Sequence, residues 1–199
     1  MHISNSKIEK YLFCPHAYYL HYFKNIPAHD KEIFRLGKKF HESIPKGECS
    51  DEIKIDKMVK ALHQNKDFKA ILPKIKTYEK KIYKNIEGIS YMAILDGAGD
   101  NIIVEFKSSA KPWSEEKFKE QTQPQMYMKL YNAKFYYFIV SKETIPQVQF
   151  KEIKFDPKKW ELIKTTAIKI RKDFEFKPLA YKNKKCFWCE YKNYCRVYF

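Results

Sequence analysis

The stretch that decides the fold is Leu95-Asp96-Gly97-Ala98-Gly99-Asp100-Asn101-Ile102-Ile103-Val104-Glu105-Phe106-Lys107. Residues 89–95 and 101–106 are rich in β-branched and aromatic side chains, and Gly97-Ala98-Gly99-Asp100 between them predicts a turn. A hairpin of this kind brings Asp96, at the end of one strand, against Glu105 on the next. Because strand side chains alternate, Glu105 and Lys107 share one face, while Val104 and Phe106 occupy the other. Hard cations such as magnesium or manganese take oxygen ligands, so Asp96 and Glu105 are candidate ligands, and Lys107 is placed to orient or activate an attacking water. The competing reading of these three residues is a solvated hairpin carrying a Glu-Lys pair.

Working outward, residues 83–86 predict a strand before the hairpin, joined to it by Glu87-Gly88, which makes an antiparallel meander. Further strands are predicted over 135–140 and 148–155. Helices are predicted over 6–23, with a Ser6…Glu9 capping box and an interruption at Pro15, and over 30–43, with Ile33, Phe34, Leu36 and Phe40 on the apolar side. Lysine-rich residues 51–70 suit another helix. Residues 114–132 read as one kinked helix or two abutting ones, with a possible Thr122…Gln125 capping box and Pro124 in the first turn. A last helix starts at Asp156-Pro157 and runs to about Asp173. Helices interleaved with strands over 199 residues predict a single α/β domain.

The formal net charge is +15, yet the only arginines are Arg35, Arg171 and Arg196. Lysine is a point charge suited to phosphates, whereas bidentate reading of base edges favours arginine, so the balance points to polyanion backbone binding without sequence reading. Lysine-rich stretches at 54–84 and 107–119, with Lys182, Lys184 and Lys185, are candidates to line a groove. Tyr18, Tyr19, Tyr22 and Phe23 have a spacing more often found in cores than in base-stacking surfaces. No run approaches the ~18 apolar residues of a membrane helix and the first residues lack a signal-peptide pattern, so a cytoplasmic location is expected. Five cysteines in a reducing compartment ask for a role other than disulfides. Cys186-Phe187-Trp188-Cys189 followed by Cys195 places three thiols in ten residues, Cys14-Pro15 offers a distant fourth, and Cys49 has no evident partner. Zinc and a [4Fe-4S] cluster both fit four thiolates, and spacing does not choose between them. His41, on a predicted helix, adds an imidazole donor, and Gln123 and Tyr127, four apart, share one helical face.

The ordered set His41, Asp96, Glu105-x-Lys107, Gln123-x-x-x-Tyr127 resembles the RecB-like branch of the PD-(D/E)XK nucleases, with Leu95 where the name has proline. The resemblance implies a restriction-endonuclease-like αβββαβ core over 30–173. It implies His41, Asp96, Glu105 and the Phe106 backbone carbonyl as ligands of Mg2+ or Mn2+, Lys107 as catalytic lysine, and Gln123 and Tyr127 within the catalytic set as residues that either support the ligands or contact phosphate. Ser4-x-Ser6-x4-Tyr11-x2-Cys14-Pro15-x2-Tyr18, taken with Cys186, Cys189 and Cys195, is similar to the iron-sulfur members of that branch, the fourth family of CRISPR-associated proteins and its phage homologues. That implies a [4Fe-4S] cluster on Cys14, Cys186, Cys189 and Cys195, with residues 1–29 and 174–199 forming a clasp subdomain within one nuclease domain, 1–199. The implied activity is a metal-dependent DNA exonuclease on single-stranded or frayed ends, in CRISPR adaptation or phage DNA processing, partnered by an integrase or a helicase. The alternative is a DNA-end-binding module with weak or no activity. No GxxxxGK[ST] motor motif occurs within these residues.

Overall fold

The computed structural model describes residues 1–27, 31–49, 51–173 and 184–195, with backbone alone for 31–33, 184 and 185. A five-stranded mixed sheet in the order β1-β2-β3-β4-β5 lies between two helical layers. The strands are β1 (Thr77–Ile86), β2 (Ile89–Gly99), β3 (Ile102–Ser109), β4 (Lys134–Ser141) and β5 (Val148–Ile153). Neighbours pair antiparallel except β3 and β4, which are parallel. A parallel pair needs a long crossover, supplied here by α6 (Glu115–Glu120) and α7 (Gln123–Tyr131).

The interior strand β4 is buried on both sides, as its unbroken Phe-Tyr-Tyr-Phe-Ile-Val run requires. Phe135, Tyr137 and Ile139 face one layer, made by α1 (Asn5–Phe13), α2 (Pro15–Tyr22), α7 and α8 (Pro157–Asp173). Tyr136, Phe138 and Val140 face the other, made by α3 (Lys31–Ser43), α4 (Ile53–Gln64) and α5 (Lys66–Ile71). A small third cluster joins Cys14, Ala17, Leu20 and Tyr191.

Several local expectations are corrected. The cap of α1 is Ser4, whose hydroxyl accepts from Lys7 N, while Ser6 bonds to the Ser4 hydroxyl instead of capping. Thr122 leads into α7 without a side-chain cap, because its hydroxyl donates to Asn5 Oδ1 at 2.9 Å. The 51–70 helix is two helices broken at Asn65, whose side chain caps the second through Asp67 N and Phe68 N. Phe34, expected on the apolar side of α3, is 68% exposed. β1 begins six residues before the predicted strand, since its Lys-rich outer face masks the alternation and suits an edge strand. Residues 97–99 continue β2 and the turn falls at Asp100-Asn101. Of the clasp subdomain, residues 28–29, 174–183 and 196–199, Lys182 included, lie outside the described residues.

The feature that positions everything else is a fork. β2 and β3 pair only through Gly97↔Val104, Ala98↔Ile103 and Gly99↔Ile102, then diverge. The freed edge of β2 is taken by the first residues: Ile3 N donates to Ser90 O at 2.8 Å, and Met92 N donates to Ile3 O at 2.9 Å. α1 therefore starts beside the fork.

Candidate active site

Asp96 and Glu105 are the first residues beyond the last β2-β3 pair, so they face each other across the opening of the fork. Phe106 N, with no β2 carbonyl to meet, donates to Asp96 Oδ2 at 2.9 Å. The amide and carbonyl of a strand residue face the same neighbouring strand, so the Phe106 carbonyl also turns toward the β2 side of the fork. Val104 and Phe106 are sealed in the α3-α4-α5 layer, which drives Glu105 and Lys107 to the opposite face as the alternation requires.

Glu105 is only 2% exposed. Its Oε1 accepts from Lys107 Nζ at 2.6 Å and from Gln123 Nε2 at 2.6 Å. Its Oε2 is buried with no hydrogen-bond partner among the described residues. A buried orphan carboxylate oxygen is costly unless a cation or proton meets it. Burial, and then the charge of Asp96, raise the Glu105 pKa to about 7, against the opposing pull of Lys107. For Lys107, burial works to lower its pKa, but the charges of Glu105 and Asp96 outweigh it and the net direction is up.

His41, on the last turn of α3, places Nδ1 3.2 Å from Asp96 Oδ1. Burial opposes its protonation, yet the hydrogen bond and charge of Asp96 carry its pKa above the ordinary histidine value. Gln123 opens α7, and Pro124 behind it leaves the Gln123 amide aimed at Glu105; Tyr137 donates to Gln123 Oε1 at 3.4 Å. Tyr127, one turn further on, meets Gln123 and the Ile94 backbone, and burial pushes its hydroxyl pKa far up, so it stays protonated.

Two openings flank these residues. One, about 370 Å3, is lined by His41, Glu42, Tyr78, Glu79, Asp96 and Phe106. The other, about 260 Å3, is lined by Ser4, Asn5, Glu9, Lys107, Gln123 and Tyr127. Sequence reasoning missed Glu79 and the α1 residues. Glu79 sits at φ +50° in β1, where the register steps over it opposite Asp96. A left-handed residue inside a strand is a strain of order 1–3 kcal/mol that clusters at functional sites. Its sequence signal was an acidic residue among lysines, at a position not recognised as strand.

Among the described residues no three His, Cys, Asp or Glu side chains are drawn together as a preset single-ion cage. The donor chemistry still suits a hard divalent ion, because His41 stands against Asp96, and Glu105, which feels the charge of both, keeps an unmet oxygen. At the far end of α1, Cys14, Cys186, Cys189 and Cys195 line one small apolar cavity with Phe13, Leu20 and Tyr191. Burial raises the Cys189 thiol pKa, and the other three cysteines add to the rise. Cys49 lies elsewhere, its thiol donating to Asp51 Oδ1 at 3.3 Å.

A mixed sheet split at an Asp-Glu-x-Lys fork and covered by a Gln-x-x-x-Tyr helix defines a class of nucleases, and comparison with known proteins places the chain in it. Residues 55–196, more than half of the chain, match the PD-(D/E)XK nuclease superfamily, and the chain belongs to that family. Among solved structures it is similar to a candidate exonuclease from Eubacterium rectale, with a TM-score of 0.70 at 9% identity over 96% of this chain and 87% of that one. The protein SSO0001 follows with a TM-score of 0.60 at 14% identity, covering 99% and 87%. LHK-Exo, solved with dAMP, gives 0.51 at 15% identity, covering 87% and 88%. No curated protein matches the chain in sequence. Among the described residues no helix is long and apolar enough to cross a membrane.

Proposed function

We propose that this protein is a divalent-metal-dependent DNA nuclease acting as an exonuclease on single-stranded or frayed ends. The observation that carries the reading is the fork, where a buried Glu105 with an unmet oxygen stands against Asp96, His41 and Lys107. His41, Asp96, Glu105 and the Phe106 carbonyl would hold Mg2+ or Mn2+, which supplies a water of lowered pKa and positive charge for the scissile phosphate. Lys107 orients the attacking water and offers its ammonium to the phosphate oxygens. Gln123 holds Glu105 in rotamer, and Tyr127 and Tyr137, both kept neutral, steady Gln123 without adding charge.

The reading includes a [4Fe-4S] cluster on Cys14, Cys186, Cys189 and Cys195, supported by their common cavity. It also includes a place in CRISPR adaptation or phage DNA processing beside an integrase or helicase, supported by the sequence pattern of the cysteine clasp and by the lack of a motor motif within these residues.

One observation favours a second reading. Glu105 is tied to Lys107 and Gln123 and holds its proton up to about pH 7, as a DNA-end-binding module with little activity would tolerate. End-labelled single-stranded and duplex DNA, incubated with Mg2+ or Mn2+, separates the two. The nuclease reading expects wild-type cleavage that Asp96→Ala and Lys107→Ala each lower by ~100-fold or more while binding persists. Binding without cleavage in the wild type supports the module instead.

A further inference from the structure

Phe187 and Trp188 are the least expected surface residues of the molecule. They are 69% and 81% exposed, and their rings meet each other edge to face with centroids 4.8 Å apart. Local geometry explains the exposure. Residues Lys184–Trp188 form a 3-10 helix, and Cys189 N donates to Cys186 O at 3.1 Å. In a 3-10 turn residues i and i+3 eclipse, so Cys186 and Cys189 share the side that lines the cysteine cavity. The two residues between them are turned outward, into solvent. Tyr194, on the following 3-10 turn, is 49% exposed as well.

The surroundings identify the occupant. Lys192 is exposed on the same segment. On the packed side of the clasp, Lys10 lies over the Tyr191 ring at 5.1 Å and pairs with Glu190, removing the nearby negative charge. Two aromatic faces with an exposed lysine on the same segment match a nucleotide, which brings one π-face and one phosphate per unit. They are too small for a protein partner: two rings supply ~300–500 Å2, against ~800 Å2 per side in a standard interface. Position agrees with this. α1 runs nine residues from the fork-side opening, lined by Asn5 and Glu9, to Phe13 and Cys14 at the cysteine cavity. At 1.5 Å per residue α1 is roughly 13 Å long, so the clasp that carries the two rings is tied to the fork-side opening by a single short helix.

We propose that Phe187 and Trp188 form a stacking platform for unpaired bases of a DNA end, on the clasp that α1 joins to the fork-side opening. The proposal rests on the nuclease reading of the fork, but its test does not depend on cleavage. Anisotropy of a labelled mixed-sequence single strand, and of a blunt duplex, is measured in EDTA with wild type, F187A/W188A and F187Y/W188F. The expected result is a loss of single-strand affinity of ~10-fold or more for the alanine pair, less than about twofold for the duplex, and recovery in the Tyr/Phe pair. Both side chains are exposed, so melting temperatures should agree among the three proteins. Unchanged single-strand binding by F187A/W188A, or an equal loss on single strand and duplex, overturns the platform. If the wild type binds the single strand through these rings yet never cleaves with Mg2+ or Mn2+, the nuclease reading falls and the platform stands.

Discussion

At the level of single residues the site is governed by one acid. The Glu105 carboxyl is raised from 4.5 to about 7 by burial and by Asp96. A carboxyl whose folded pKa lies above its unfolded one favours the folded state fully below the unfolded pKa, and loses that contribution as pH rises through the folded value. The metal-free protein should therefore weaken between about pH 4.5 and 7 by on the order of 3 kcal/mol. Glu105→Gln should flatten this slope in urea melts taken in EDTA. A slope unchanged in the variant would assign the dependence to another group. His41, Asp96, Glu105, Lys107, Gln123 and Tyr127 could be named together only through the resemblance their order carries, because each is weak alone. Glu79 was not legible, because what brings it to the opening is a backbone angle, and no side-chain pattern encodes that.

Elements were legible where an apolar run was unbroken, as in β4, or an apolar period clear, as in α8, and illegible where lysines covered it, as in the first half of β1. The α4-α5 break at Asn65 was hidden because asparagine is tolerated in a helix and only its capping bonds reveal the stop. Gly99 shows the same limit. It reads as a turn glycine, but its role is close approach, since an added Cβ would meet Lys74 O at 2.0 Å. Backbone cannot yield cheaply there. Gly99→Ala should cost ~2–4 kcal/mol, near 10 °C in Tm, whereas Gly37→Ala in α3, with nothing within 4 Å, should gain ~0.5–1 kcal/mol. Thermal melts of the two variants provide the comparison. Equal effects would remove the Gly99-Lys74 packing from the account.

At the scale of the whole molecule the two ends of the chain meet at the clasp. Cys14 and Cys186 are 172 residues apart, and a shared cluster would close that span and contribute ~3–5 kcal/mol if it acts as a cross-link does. Cys14→Ser, purified without oxygen, should lose any visible cluster absorption and melt lower. A colourless wild type with an unaltered melting point in the variant would leave the four cysteines without a metal. The one-domain α/β architecture was legible from the alternation of elements. The insertion of Ile3 beside β2 was not, because a single bridge depends on where β3 departs and leaves no local signature.

That bridge also sets an order of assembly. Ile3 waits for Ser90 and Met92, and the clasp waits for Cys186 to Cys195, so α1 is held at both ends by contacts of long sequence separation, the far one made later along the chain. A growing chain that has reached Met92 but not Cys186 can seat the start of α1 beside the fork while the other end of that helix still lacks its clasp.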